Sequence, residues 1–264
     1  MAQNASDWLP LAARVGYAAR GVIYVIVGAM AALAALGRGG KATDSEGALV
    51  ELLGAPFGKI LLAIVAAGLL CYSAWRAVQA VADADHHGTD LEGLVVRGGL
   101  AVSAVTHVGL AFFALSLAFG WGTGGSDSSS QEWTARLMSH PYGPWLVGAV
   151  GLAIVGAGVA HGIKAWTGKF EKRFDMDPRE QMLISPLSRF GLIARGAVFL
   201  IIGGFFITAA IQNDPSEARG LSGALQSLQS QTFGSILLGI VALGLVFFGA
   251  YSIIESVYRR IGTA

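Results

Sequence analysis

Arg14-Val-Gly-Tyr-Ala-Ala-Arg20-Gly21 opens an apolar run that extends to Leu36, and Arg189-Phe-Gly-Leu-Ile-Ala-Arg195-Gly196 opens another that extends to Gln212. Both follow the spacing Arg-x-Gly-x-x-Ala-Arg-Gly, although most of the chain lies between them. A third stretch, Arg97-Gly-Gly99-Leu-Ala-Val-Ser103-Ala104, keeps the first arginine and the glycine but places Ser103 where the others carry the second arginine. Each stretch leads into a window long enough to cross ~30 Å of hydrocarbon, which takes about 20 residues. Six such windows occur, near 15–36, 58–81, 98–121, 143–166, 190–212 and 234–257. None alternates strictly between polar and apolar residues, so helices are expected rather than a β-barrel.

Composition agrees with a chain that lives in lipid. Hydrophobic residues make up 54% of the 264 and charged residues 13%, about half the charged share of an ordinary soluble domain. Mean hydropathy is +0.60. A water-soluble fold of this size would expose too much apolar surface, and a net charge of +1 argues against a charge-driven nucleic-acid binder. The single cysteine, Cys71, cannot form an internal disulfide or supply a cysteine-rich metal site. Residues 1–10 lack a basic segment followed by a cleavage site, so the first helix is expected to remain as an uncleaved anchor.

An even number of spans puts both termini on one side. That side carries thirteen of the 18 Lys and Arg (Arg14, Arg20, Arg76, Arg97, Lys164, Lys169, Lys172, Arg173, Arg179, Arg189, Arg195, Arg259 and Arg260), and the other side carries five. The asymmetry predicts cytoplasmic termini.

The even-numbered spans repeat as well. Pro56-Phe57-Gly58, Pro141-Tyr142-Gly143 and Thr232-Phe233-Gly234 begin spans two, four and six. Leu52, Leu137 and Leu228 each sit six residues before the turn glycine, inside segments with apolar residues at helical spacing. These segments are expected to be amphipathic helices lying on the outer membrane surface, with Ser45 and Ser130 as N-caps of the first two. The expected fold is all-α: a polytopic membrane helical bundle of six transmembrane helices, arranged as three tandem two-helix repeats around a pseudo-threefold axis, each with a short amphipathic surface helix. The chain is read as one membrane domain, with repeats near 11–82, 94–167 and 187–260 and a cytoplasmic linker at 168–186.

The tandem arginine motifs, together with Pro56, Gly58, Gly68, Leu69, Leu70, Tyr72, Trp75 and Arg76 in the second span, resemble a bacterial family of three-repeat membrane proteins known as domain of unknown function 1206. The likeness runs from about Ala13 to Ile261 and is clearest in the first and third copies. The middle copy departs from it, with Ser103 for arginine, His107 for Tyr24 and His161 for Arg76. The resemblance implies the architecture and a bacterial inner-membrane location. It implies no activity.

Several residues are candidates for chemistry. From Gly21 to Leu36 is about 24 Å, so Arg20 and Arg195 lie near or just below the headgroups on the terminal side. They either snorkel and set topology, or converge as ligands for an anion or a lipid phosphate. His107 lies about 15 Å beyond Arg97, near mid-depth, where an ionisable group is a functional candidate. Tyr24 and Phe199 fill the equivalent positions, so the slot also reads as a place for a ring, with the imidazole bonded to Ser103. His161 falls roughly 10 Å from His107 along the membrane normal, too far for both to ligate one haem. Tyr72 and Arg76 complete the candidate ligand- or lipid-binding set of Arg20, Arg195, His107, Ser103, Tyr24, Tyr72, Arg76 and His161.

Asp83, Asp85, His86, His87, Asp90 and Glu92 crowd one short loop, but adjacent histidines chelate poorly and a solvated polar loop is the better reading. Lys164, Lys169, Lys172 and Arg173 form a basic run expected to touch anionic lipid or a docking partner. The glycines of span four, including Gly158-x-x-x-Gly162, predict a central helix. Trp75, Trp121, Trp145 and Trp166 read as an interfacial belt. No phosphate-binding loop, zinc-protease motif or nucleophile elbow occurs, and Glu255 is the one acid deep in an apolar window. The sequence thus points to a non-enzymatic membrane protein that binds lipid, another membrane protein or its own copies, without cofactor, metal or nucleic acid. A channel or carrier for a small solute or anion along the repeat axis is the alternative.

Overall fold

A computed structural model describes residues 2–121, 126–168 and 170–261. Nine α-helices occur among the described residues: α1 (Ala2–Ala35), α2 (Ser45–Gly54), α3 (Gly58–Val81), α4 (Leu91–Phe119), α5 (Ser126–Met138), α6 (Gly143–Thr167), α7 (Pro178–Gln212), α8 (Leu221–Gln229) and α9 (Gly234–Tyr258). Six of them (α1, α3, α4, α6, α7 and α9) are long and apolar enough to cross a membrane. The other three precede the even-numbered spans, as the leucine spacing predicts. Leu49 of α2 and Leu225 of α8 are buried against the bundle.

Helix starts follow local chemistry. Asp44, not Ser45, caps α2: its carboxylate accepts from the backbone N–H of Glu46 and Gly47 at 3.1 and 3.0 Å. Ser130 lies inside α5 rather than at its start. Asp90 caps α4 through the Gly93 N–H, and Glu180 reaches back to the Asp177 N–H at the start of α7. The stretch expected as a linker holds one 3-10 turn (Glu171–Arg173) and then the beginning of α7.

Lipid tails are as apolar as leucine, so spans associate by close backbone approach rather than by hiding apolar surface. The motif glycines supply that approach in two ways. The first glycine of the motif seats a repeat's own hairpin. A Cβ on Gly16 would lie 2.5 Å from the Tyr72 backbone on α3, and one on Gly191 would lie 2.5 Å from the Phe248 nitrogen on α9. The second glycine seats the junction with the preceding repeat. A Cβ on Gly21 would lie 2.8 Å from the Gly249 carbonyl oxygen, and one on Gly196 would lie 2.8 Å from that of Gly158. At the remaining junction Ser73 of α3 donates to the Ala104 carbonyl of α4 at 2.7 Å, in place of the glycine pair.

The tightest helix pairs are therefore α1 with α9, α6 with α7 and α3 with α4, each joining one repeat to the next, and looser contacts join α1 to α3 and α7 to α9. The ring runs α4–α3–α1–α9–α7–α6 and does not close. The two spans of the middle repeat, α4 and α6, make at most marginal contact. Gly99, the counterpart of Gly16 and Gly191, has nothing within 4 Å of where its Cβ would be. Span four is accordingly not central. It is the least buried of the six, because Gly151 and Gly158 pack on α7 while Gly156 and Gly162 face open space. Trp121, Trp145 and Trp166 are exposed as a belt would require, but Trp75 is buried and donates to the Tyr17 hydroxyl at 3.1 Å.

Candidate functional site

Superposing the repeats in register shows which side chains the symmetry brings to the centre. Arg20, Ser103 and Arg195 are equivalent, as are Tyr24, His107 and Phe199, and Tyr72, Ala157 and Phe248. A fourth set, Arg76, His161 and Ser252, lies one turn nearer the terminal side, followed by Gln79, Lys164 and Glu255. Tyr72 is 14 residues into α3, about 21 Å from its outer end and about 14 Å short of Val81, so the centre sits below the terminal-side surface.

Arg20 does not snorkel. It is 6% exposed and points into the bundle, where its guanidinium donates to the Tyr72 hydroxyl. The Arg20 guanidinium carbon lies 5.2 Å from the Tyr72 ring centre and 4.7 Å from that of Phe248. Arg195 approaches the same Phe248 ring at 4.4 Å and those of Tyr24 and Phe199 at 4.7 Å each. The two guanidinium carbons are thus separated by no more than the sum of their distances to Phe248. Three of their nitrogens, Nε of Arg20 and Nε and Nη1 of Arg195, are buried and find no acceptor.

A hydrogen-bonded chain continues toward the terminal side. Arg76 Nε donates to the Tyr72 hydroxyl at 2.7 Å and its Nη1 to Gln79 at 3.0 Å, and Gln79 donates to Asp85 at 2.6 Å. Asp85 pairs with Arg259 at 2.9 Å and with Arg173 at 3.0 Å. Arg259 also pairs with Glu255 at 2.9 Å, while Lys164 donates to the Tyr251 hydroxyl at 2.8 Å and Tyr251 donates to Glu255 at 3.0 Å. Asp85 lies in the loop between α3 and α4. Burial alone would raise its carboxyl, but the guanidinium groups of Arg259 and Arg173 hold it below the usual carboxylate range.

The charges do not balance. Asp85 and Glu255 are the carboxylates of this network, and both are spent on Arg259 and Arg173. Arg20, Arg76, Lys164 and Arg195 have no carboxylate within ion-pair distance among the described residues. A surplus of cations held in a low-dielectric interior is costly and marks a place that favours an anion.

His107 and His161 flank this centre from the two sides of the open edge. The His107 ring packs on Tyr72 at 4.6 Å, and the His161 ring lies 5.4 Å from Phe199 and 6.4 Å from Phe248. Each donates from Nδ1 to the carbonyl one turn back, His107 to Ser103 and His161 to Ala157, both at 2.7 Å. The expected bond between His107 and Ser103 is present, through the carbonyl of Ser103.

The first arginine of each motif has a separate task at the helix ends. Arg14 donates to the Val257 carbonyl of α9 at 2.6 Å, and Arg97 to the Ala80 and Val81 carbonyls of α3 at 2.8 and 3.0 Å. These cap the otherwise unmatched last turn of the neighbouring span. Arg189 pairs instead with Glu171 at 3.0 Å. In the acidic loop, Asp83 accepts from the backbone of His87 and Gly88. Among the described residues no group of three or more metal-binding side chains comes together. Of the basic run, Lys164 turns inward and Arg173 joins the Asp85 network, whereas Lys169 and the side chain of Lys172 lie outside the described residues.

All eight sequence candidates thus lie on or beside one centre. Sequence reasoning missed Phe248, Lys164, Gln79, Arg259 and Asp85 as members. Register between the repeats was the signal that finds Phe248, Lys164 and Gln79, because they are equivalents of Tyr72 and Glu255.

Six apolar spans in three tandem hairpins, converging on an arginine–aromatic centre, define a multi-pass helical membrane protein of the three-repeat type. The chain belongs to the family described as Domain of Unknown Function (DUF1206), whose model matches three times, at residues 15–83, 98–168 and 190–259. It is 35% identical over 261 residues to "Uncharacterized protein YxxB" of Bacillus subtilis (strain 168), a match that covers 98% of this chain and 94% of that protein. No solved structure matches the chain.

Proposed function

We propose that this protein binds the anionic headgroup of a membrane lipid at the Arg20/Arg195 centre and is not an enzyme. The observation that carries the reading is the surplus of buried cations: Arg20 and Arg195 converge on one phenylalanine ring without a carboxylate between them. The unclosed edge between α4 and α6 offers a route from the bilayer to that centre without crossing a headgroup layer. A lipid entering there keeps its tails among the exposed small and apolar residues of α4 and α6 while its phosphate reaches the guanidiniums.

The membrane is a bacterial inner membrane and both termini are cytoplasmic in this reading. Five of the thirteen terminal-side cations (Arg20, Arg76, Lys164, Arg195 and Arg259) are turned into the bundle, which leaves eight against five for setting topology. Anionic lipid of the cytoplasmic leaflet then faces the side nearer the site.

Native mass spectrometry of the delipidated full chain, titrated with phosphatidylglycerol or phosphatidylcholine of equal chain length, tests the binding. One phosphatidylglycerol should be retained in preference to phosphatidylcholine, and Arg195→Gln should remove the preference. Equal retention of both lipids by the unaltered protein, or an unchanged preference in Arg195→Gln, refutes the reading. Co-purification of a second polypeptide in place of lipid redirects it to a partner-binding role.

A further inference from the structure

We infer that the headgroup taken by this site carries hydrogen-bond donors beyond its phosphate, as the glycerol hydroxyls of phosphatidylglycerol do, and that His107 and His161 read them. The inference rests on the lipid-binding reading and narrows it.

The argument begins with where histidine occurs. Position 107 is an aromatic ring in the other repeats, Tyr24 and Phe199, and position 161 is Arg76 and Ser252. Histidine replaces them in the repeat whose two spans stand apart, one on each wall of the opening. One turn before each histidine the residue is small: Ser103 on α4 and Ala157 on α6. Ser103 stands where the other repeats have an arginine, and Ala157 where they have Tyr72 and Phe248, so each wall carries a smaller side chain at that level than its counterparts do.

The two rings are held alike. Nδ1 of each donates to its i−4 carbonyl at 2.7 Å, and a carbonyl can only accept. In the neutral imidazole the lone pair then belongs to Nε2, which has no hydrogen-bond partner among the described residues for either histidine. The site thus pairs guanidinium donors, which want an anion, with two imidazole acceptors, which want a donor. A phosphodiester with a bare alkyl group meets the first need and leaves the second unmet. A phosphodiester that carries hydroxyls meets both, and an acceptor left unmet when the ligand is bound is what gives a polar site its discrimination.

The test compares phosphatidylglycerol with phosphatidylmethanol of the same chain length, an anion of equal charge without hydroxyls, by native mass spectrometry of the full chain. The unaltered protein should bind phosphatidylglycerol about tenfold more tightly. His107→Phe/His161→Phe should bring the two within about twofold while both remain tighter than phosphatidylcholine. His107→Phe alone, which installs the ring of the third repeat, should give an intermediate ratio, and serves if the double variant does not fold. Equal affinity of the unaltered protein for the two anionic lipids overturns the inference and leaves the lipid-binding reading standing. Failure of both to exceed phosphatidylcholine overturns both. Saturable binding of free glycerol 1-phosphate at comparable affinity overturns the lipid as the source of the headgroup.

Discussion

Three glycines at the same motif position should respond to alanine with opposite signs. A Cβ on Gly16 or Gly191 would sit 2.5 Å from the backbone of the second span of its hairpin, at Tyr72 and Phe248. Ordinary contact begins near 3.4 Å, so each pair of helices must separate by most of an ångström, and backbone atoms cannot rotate away as a side-chain tip could. Overpacking of this kind costs about 1–3 kcal/mol. At about 2–4 °C per kcal/mol for a chain of this size, the unfolding midpoint should fall by roughly 2–12 °C in Gly16→Ala and Gly191→Ala. Gly99→Ala meets nothing within 4 Å and replaces the weaker helix former by the better one, which favours it by up to about 1 kcal/mol. Its midpoint should hold or rise. The assay is thermal unfolding in one detergent, followed by far-ultraviolet circular dichroism, for all three variants. A fall in Gly99→Ala matching that in Gly191→Ala would mean that α4 and α6 are packed together, and would remove the lateral opening on which the lipid route depends.

Asp85→Asn should lower the unfolding midpoint at pH 7 by the equivalent of about 1–3 kcal/mol, since it strips a carboxylate from Arg259 and Arg173. The Asp85 carboxyl is held below its unfolded value of about 3.9, so its contribution is present above that pH and is lost as pH falls through the lower folded value. The variant should therefore lose less stability than the unaltered protein on acidification below about pH 4 in a midpoint-versus-pH series. Trp75→Phe leaves the buried Tyr17 hydroxyl without its donor and opens a small void, and equilibrium unfolding in denaturant should show a loss of about 1–3 kcal/mol. Arg14→Ala uncaps the last turn of α9, and hydrogen exchange should quicken at residues 255–258 with the centre of that helix unchanged.

What could be read from the sequence divides along a physical line. Span positions were legible because crossing hydrocarbon demands some twenty apolar residues, and helix ends fell within a few residues of the windows except where α1, α4 and α7 extend further on the terminal side. The repeats were legible because Arg-x-Gly-x-x-Ala-Arg-Gly joins two backbone contacts to one inward cation, and each residue has a task. The rotation of each helix about its own axis was not legible. In water a polar face announces which side is out, but in lipid the outer face is as apolar as the packed one. Trp75 and Trp166 are the same residue near the same end of equivalent spans, yet one is buried and the other is 88% exposed. Lys164 looked like the start of a surface run and instead reaches Tyr251 inside the bundle. Gly151 and Gly158 pack while Gly156 and Gly162 do not, a distinction that spacing alone does not carry. Arg20 could be placed in depth but not in direction, and direction decides between an anchor and a ligand.

The extensive pairing of α1 with α9 has a consequence for how the molecule is made. α1 has α9 as its principal neighbour, and at 5–20 residues per second the two emerge roughly ten to forty seconds apart. During that interval Gly21 has no Gly249 carbonyl to lie against, and Arg20 stands in the membrane without Phe248 beside it. A chain cut short before α9 therefore carries an unaccompanied cation in an unpaired helix, which is the kind of segment that membrane quality control removes. Completion of α9 is therefore the step that shelters α1.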